Sequence, residues 1–94
     1  MEPFKVIIVE DVPLELKGTE GIFKNEIPEA EIIGTAESET SYWRLIKQQV
    51  PDLVLLDLGL GGSTTIGVEI CRQTKETYPA LKVLIFTGEI LNEK

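Results

Sequence analysis

The sequence predicts an open α/β fold built on a parallel sheet, and three observations carry that expectation. Four apolar runs recur, at Phe4–Val9, Glu31–Thr35, Leu53–Leu58 and Val83–Phe86. The first, third and fourth are near-continuous in Val, Ile, Leu and Phe instead of alternating, which is how strands covered on both faces read. Segments with helical period fill the intervals, giving β-α-β-α-β-α-β with no linker, repeat or low-complexity stretch. That alternation means a parallel sheet joined by right-handed crossovers.

The elements follow in order. The first strand runs into an acidic pair, Glu10 and Asp11. The first helix carries Leu16, Thr19, Phe23 and Ile27 on one face, although Gly18 and Gly21 weaken it. Pro13 suits an early helical position, and Glu10 and Asp11 fall in its N-terminal cap region. After the second strand, Tyr42, Leu45, Ile46 and Gln49 form a cleaner face, and Pro51 stops that helix. Asp52, in a Pro-Asp pair, reads as a turn residue. Gly67, Ile70, Cys71, Thr74 and Tyr78 line the third helix, which ends at Pro79. Packing accounts for Tyr42, Trp43 and Tyr78, and Cys71 beside Ile70 reads as a buried structural thiol.

The 94 residues make one domain, 1–94, with 43% hydrophobic and 27% charged residues, an ordinary globular balance. The formal charge of −7 repels phosphate backbones, which argues against direct nucleic-acid binding. Most of the glutamates serve solubility. A single Cys rules out an internal disulfide, and the absence of His removes imidazole bases and His metal ligands. No apolar stretch approaches the ~20 residues of a membrane span and no signal pattern opens the chain, so a soluble, cytoplasmic protein without a membrane partner is expected.

Thirteen Glu but only three Asp occur, and Asp11 and Asp57 stand at the ends of apolar strands. Glu10, Asp11, Asp57 and Thr87 thus converge, from three strands, on one edge of the sheet. Ligands of open α/β sheets bind beyond the carboxyl ends of the strands, where strand order switches direction. Carboxylates brought together repel one another unless a cation neutralises them. Mg²⁺ does so with oxygen ligands, and beside it Asp57 can attack phosphorus while Thr87 donates a hydrogen bond to a phosphoryl oxygen. Gly59 and Gly61 let backbone approach closely. The blander reading makes Asp57 a solubilising strand end and Thr87 a β-former.

These residues carry a resemblance. "VIIVED", "PDLVLLDL", Gly67 at the start of the third helix and "VLIFTG", from about Lys5 to Gly88, resemble the receiver domain of two-component response regulators. The resemblance implies a flavodoxin-like fold of strand order 2-1-3-4. It implies Asp57 as phosphoacceptor, taking a phosphoryl group from a histidine kinase, a phosphotransfer protein or a small acyl phosphate. Asp11 and Asp57 would ligate Mg²⁺ directly, Gly59 through its carbonyl oxygen, and Glu10 through water. Thr87 would be the switch hydroxyl, with Gly88 making room for its movement.

The chain departs from the family pattern in two places. Gly61 stands where that pattern commonly has proline, and "GGSTTIG" is slightly longer than usual before Gly67. The fifth strand and last two helices of a receiver lie outside the 94 residues, and Lys94 comes too soon after Gly88 to be the family's phosphoryl-contacting lysine. Val83–Phe86 is accordingly expected as an exposed, apolar edge strand, open to a partner or to a second copy in a homodimer.

Rival chemistries lack their residues. "GLGGST" has Thr64 where the third glycine of a dinucleotide-binding loop belongs, and no Lys follows these glycines as a P-loop requires. An aspartate-based phosphatase would carry a second Asp where Gly59 stands. The chain is therefore expected not to be an enzyme that turns over an external substrate. Two alternatives stay open: a phosphorylation-independent interaction module, and the N-terminal part of a longer transcriptional regulator.

Overall fold

A computed structural model describes residues 3–62 and 64–86. It contains β1 (Phe4–Val9), α1 (Pro13–Glu26), β2 (Ala30–Ala36), α2 (Glu39–Gln48), β3 (Leu53–Asp57), α3 (Thr64–Thr77) and β4 (Lys82–Phe86). The four strands form one parallel sheet of order β2-β1-β3-β4. The expected class and strand order are both observed.

Strand alternation divides the core into two layers. Ile7 and Val9 of β1, with Val54 and Leu56 of β3, pack under α2 and α3 against Tyr42, Ile46 and Ile70. Val6, Ile8 and Leu55 point the other way and pack with Leu16 and Phe23 of α1 and with Ile27, its C-cap. Burying every side chain of Val6–Val9 is possible only for a strand covered on both faces, and β1 is such a strand. β4 shares that composition but not that burial: it is the edge of the described sheet, and Leu84, the register partner of Leu55, is 55% exposed. It follows the edge expectation.

Local chemistry explains the helix ends. α1 starts at Val12 with Pro13 at its first position, where a missing N–H costs nothing. α2 is closed by a capping box between Ser38 and Ser41. The expected face of α2 is present for Tyr42, Leu45 and Ile46, whereas Gln49 is its exposed C-cap. Tyr42 and Thr74 join α2 to α3 through a buried hydroxyl–hydroxyl hydrogen bond of 2.7 Å. Asp52 acts at the opposite end of the sheet from the acidic edge: its N–H donates to the Lys5 carbonyl and its carboxylate accepts from the Lys5 N–H, both at 2.8 Å.

The segment between β3 and α3 is tighter than its length suggested. Leu60–Gly62 forms one 3-10 turn and the helix already begins at Thr64, so Thr64–Ile66 belong to α3. Gly61 (φ 70°) and Gly62 (φ 76°) take left-handed conformations that let the chain turn there, and Leu60 is buried beneath them. Gly67 is required for a different reason. A Cβ at that position would stand 2.9 Å from the Leu58 carbonyl oxygen and 3.2 Å from its Cα, so α3 docks against the β3–α3 turn through bare backbone.

Candidate functional site

β1 and β3 lie side by side, with Val9 opposite Leu56. The next residue of each strand, Glu10 and Asp57, therefore leaves the sheet from neighbouring positions at its carboxyl edge. The chain passes from β1 to β2 on one side and to β3 and β4 on the other. Glu10, Asp11 and Asp57 thus sit where the strand order reverses, the place an open parallel sheet reserves for ligands.

The three carboxylates come together closely. Each offers an oxygen to a cluster in which all three atoms lie within 4.8 Å of one another. Glu10 is 1% exposed and Asp57 5%, while Asp11 is half-buried. Backbone N–H groups hold them: Val12 donates to Glu10 Oε2 at 3.1 Å, Gly59 to Asp57 Oδ1 at 3.1 Å, and Gly61 to Asp11 Oδ2 at 3.0 Å. The Gly59 carbonyl faces back into the same turn, accepting from the Gly62 N–H at 2.9 Å.

Glu10 Oε1 is buried without a hydrogen-bond partner among the described residues. Burial pushes the Glu10 carboxyl up from 4.5 to about 7, the Val12 N–H opposes that rise, and the Asp57 charge adds to it. A buried, unpartnered carboxylate oxygen beside a second buried acid is costly, because each such group loses its water. An oxygen-only donor set of this kind fits a hard divalent cation such as Mg²⁺.

Three of the expected site residues are therefore brought together, Glu10, Asp11 and Asp57; Gly59 adjoins them through its N–H, while the carbonyl expected to face the cation accepts from the Gly62 N–H instead. Thr87, with Gly88, lies outside the described residues. Gly61 approaches the acids as its residue type allows, and its N–H reaches Asp11. That specific bond was not legible from spacing, because it depends on the left-handed turn at Gly61 and Gly62. The Tyr42–Thr74 bond was also missed, since their spacing along the chain carries no signal for a pairing between two helices.

The model of the response regulator receiver domain matches residues 6–93. The chain belongs to that family. This receiver domain is 31% identical over 85 residues to the methanol utilization control regulatory protein MoxX of Paracoccus denitrificans, covering 90% of this chain and 37% of that protein. It is 26% identical over 84 residues to the transcriptional regulatory protein ComA of Bacillus subtilis (strain 168), covering 89% and 39%. Its fold is similar to that of a two-component response regulator of the LuxR family from Aurantimonas sp. SI85-9A1, with a TM-score of 0.79 at 27% identity over 92% of this chain and 59% of that one. The chain thus spans less than two-fifths of the length of these two curated relatives. Among the described residues, no helix is long and apolar enough to cross a membrane.

Proposed function

We propose that this receiver domain of two-component signalling accepts a phosphoryl group on Asp57 with Mg²⁺ held at the acidic edge. The observation that carries the reading is the buried Glu10 Oε1, without a hydrogen-bond partner among the described residues, beside Asp57 and Asp11. Asp57 and Asp11 would hold the cation directly, the Gly59 carbonyl would turn toward it, and Glu10 would reach it through water. Bound there, the cation offsets the charge shared by carboxylate and phosphoryl donor.

The chain's own groups supply the rest. The Gly59 N–H engages Asp57 Oδ1, which leaves the second carboxylate oxygen to attack phosphorus. The bond from phosphorus to the donor, phosphorus–nitrogen in a phosphohistidine of a kinase or phosphotransfer protein and phosphorus–oxygen in a small acyl phosphate, breaks as the Asp57 oxygen–phosphorus bond forms, and the imidazole nitrogen or carboxylate oxygen leaves with the electron pair. Thr87 would then hydrogen-bond a phosphoryl oxygen as the switch hydroxyl. The event modifies the protein itself, so the domain acts as a switch and not as a turnover enzyme, in keeping with a cytoplasmic signalling role.

The output is a change in association. The exposed Leu84 and Ile85 on edge strand β4 support a partner surface there, for a homodimer or another protein. The relative named as a transcriptional regulatory protein supports a role as the N-terminal part of a longer regulator. A domain that binds its partner equally well with Asp57→Asn would instead be a phosphorylation-independent module. Phosphorylation is tested by intact mass after incubation with acetyl phosphate and Mg²⁺. Magnetic titration by nuclear relaxation with Mn²⁺ in place of Mg²⁺ tests the metal, with broadening expected at Glu10, Asp11 and Asp57 first.

A further inference from the structure

The Gly61 N–H does more than complete a turn: it holds one oxygen of a carboxylate fifty residues away in sequence, Asp11 Oδ2, at 3.0 Å. One further bond ties the same turn to the site, from the Gly59 N–H to Asp57 Oδ1 at 3.1 Å. Gly59 and Gly61 thus form a backbone clasp across the ends of β1 and β3. Gly61 adopts φ 70°, where a non-glycine residue is strained, and this conformation aims its N–H at Asp11. A proline at position 61 would have neither that φ nor a donor.

We propose that Gly61 is a positioning residue for the cation site: its N–H fixes the Asp11 carboxylate through one oxygen, leaves the other for the metal, and so couples metal binding to the order of the β3–α3 turn. The proposal rests on the Mg²⁺ reading given above. Its physical basis is preorganisation, because a half-buried carboxylate already held in one rotamer loses less freedom on taking a cation. Linkage makes the coupling reciprocal: if the clasp favours the metal, the metal tightens the clasp to the same degree.

The test has a metal-free arm and a metal arm. In the metal-free protein, the Gly61 amide of the wild type is expected to exchange with solvent about 10-fold more slowly than in Asp11→Ala, while the Gly62 amide, bonded to Gly59, changes little. Equal Gly61 exchange in the two proteins would overturn the clasp. In the metal arm, Mg²⁺ affinity is measured by calorimetry on the wild type, Gly61→Pro and Gly61→Asn. Asn tolerates a left-handed φ and keeps the N–H, and its Cβ meets only the flexible end of Ile66 at 3.0 Å.

Gly61→Pro is expected to weaken Mg²⁺ binding about 5- to 10-fold, Gly61→Asn to stay within about 3-fold of wild type, and Mg²⁺ to slow Gly61 exchange further in the wild type. Equal affinities in Gly61→Pro and wild type would overturn the coupling, as would equal weakening by Pro and Asn. Should Gly61→Pro fail to fold, the Gly61→Asn affinity and the Mg²⁺ effect on Gly61 exchange decide. A wild type that takes up no Mg²⁺ would overturn the metal reading and the coupling together, while the exchange comparison still judges the clasp on its own.

Discussion

Glu10 and Asp57 leave neighbouring parallel strands one step beyond the Val9–Leu56 register pair, and both are almost wholly buried. Two acids in that position need a reason. A sheet edge that served only solubility would let them reach water, yet Glu10 Oε1 is buried and has no hydrogen-bond partner among the described residues. The proposed cation binding would supply the reason, and it would make the acidic edge a source of both function and instability.

Glu10 gives the metal-free protein a defined pH dependence. Its folded pKa of about 7 lies above the ordinary 4.5, so between those values the folded state binds more protons than the unfolded one. Stability from this group is therefore fully present below pH 4.5 and is lost as pH rises toward 7. The full linkage is at most about 3 to 4 kcal/mol at about 1.36 kcal/mol per pH unit, and relaxation will reduce it. In EDTA, denaturant melts should show Glu10→Gln gaining stability over wild type across that range and levelling off above it. A difference that does not change with pH would contradict this.

Saturating Mg²⁺ should offset that cost in the wild type. The cation stabilises only the state that binds it, so wild type gains about 2.7 kcal/mol at 100 times its Kd, and Asp11→Ala gains little. Thermal melts with and without Mg²⁺ at pH 7.5 check this; equal shifts in both proteins would place the cation elsewhere.

The Tyr42–Thr74 bond holds α2 and α3 together over the core layer behind the site. Its burial raises the Tyr42 hydroxyl to about 12, despite the Thr74 bond, so it stays protonated at working pH. Tyr42→Phe leaves the fully buried Thr74 hydroxyl without that partner, which should cost about 1–3 kcal/mol. Adding Thr74→Val should restore part of the loss. Denaturant melts of the two single variants and the double check this through the coupling energy.

Two glycines at crowded positions should respond differently to alanine. At Gly34 a Cβ meets the end of the Leu45 side chain at 2.9 Å, which can swing away. At Gly67 it meets the Leu58 backbone at 2.9 Å, which cannot move without shifting the turn that carries Gly59 and Gly61. Gly67→Ala should therefore cost about 1–3 kcal/mol and weaken Mg²⁺ binding, whereas Gly34→Ala should cost less and leave binding intact. Melts and calorimetry on both variants decide.

The sheet was legible because burial on two faces leaves continuous apolar runs, and because alternating helices permit few topologies. The acidic edge was legible for a related reason: Glu10, Asp11 and Asp57 interrupt those runs where a parallel sheet exposes its carboxyl ends. The Gly61–Asp11 bond was not, since it depends on two left-handed residues acting together across two strands. β4 shows the limit of composition: Val83–Phe86 reads like β1, yet at the edge of the described sheet Leu84 is exposed where Ile8, in line with it through Leu55, is buried.

The central claim is that Asp57 is a working phosphoacceptor. The most direct measurement is the intact mass of the protein after incubation with acetyl phosphate and Mg²⁺, beside an Asp57→Asn control and a sample in EDTA. The account expects a gain of one phosphoryl group in the wild type alone, absent from Asp57→Asn and from EDTA. No gain in folded wild-type protein, or a gain that survives Asp57→Asn, would contradict it.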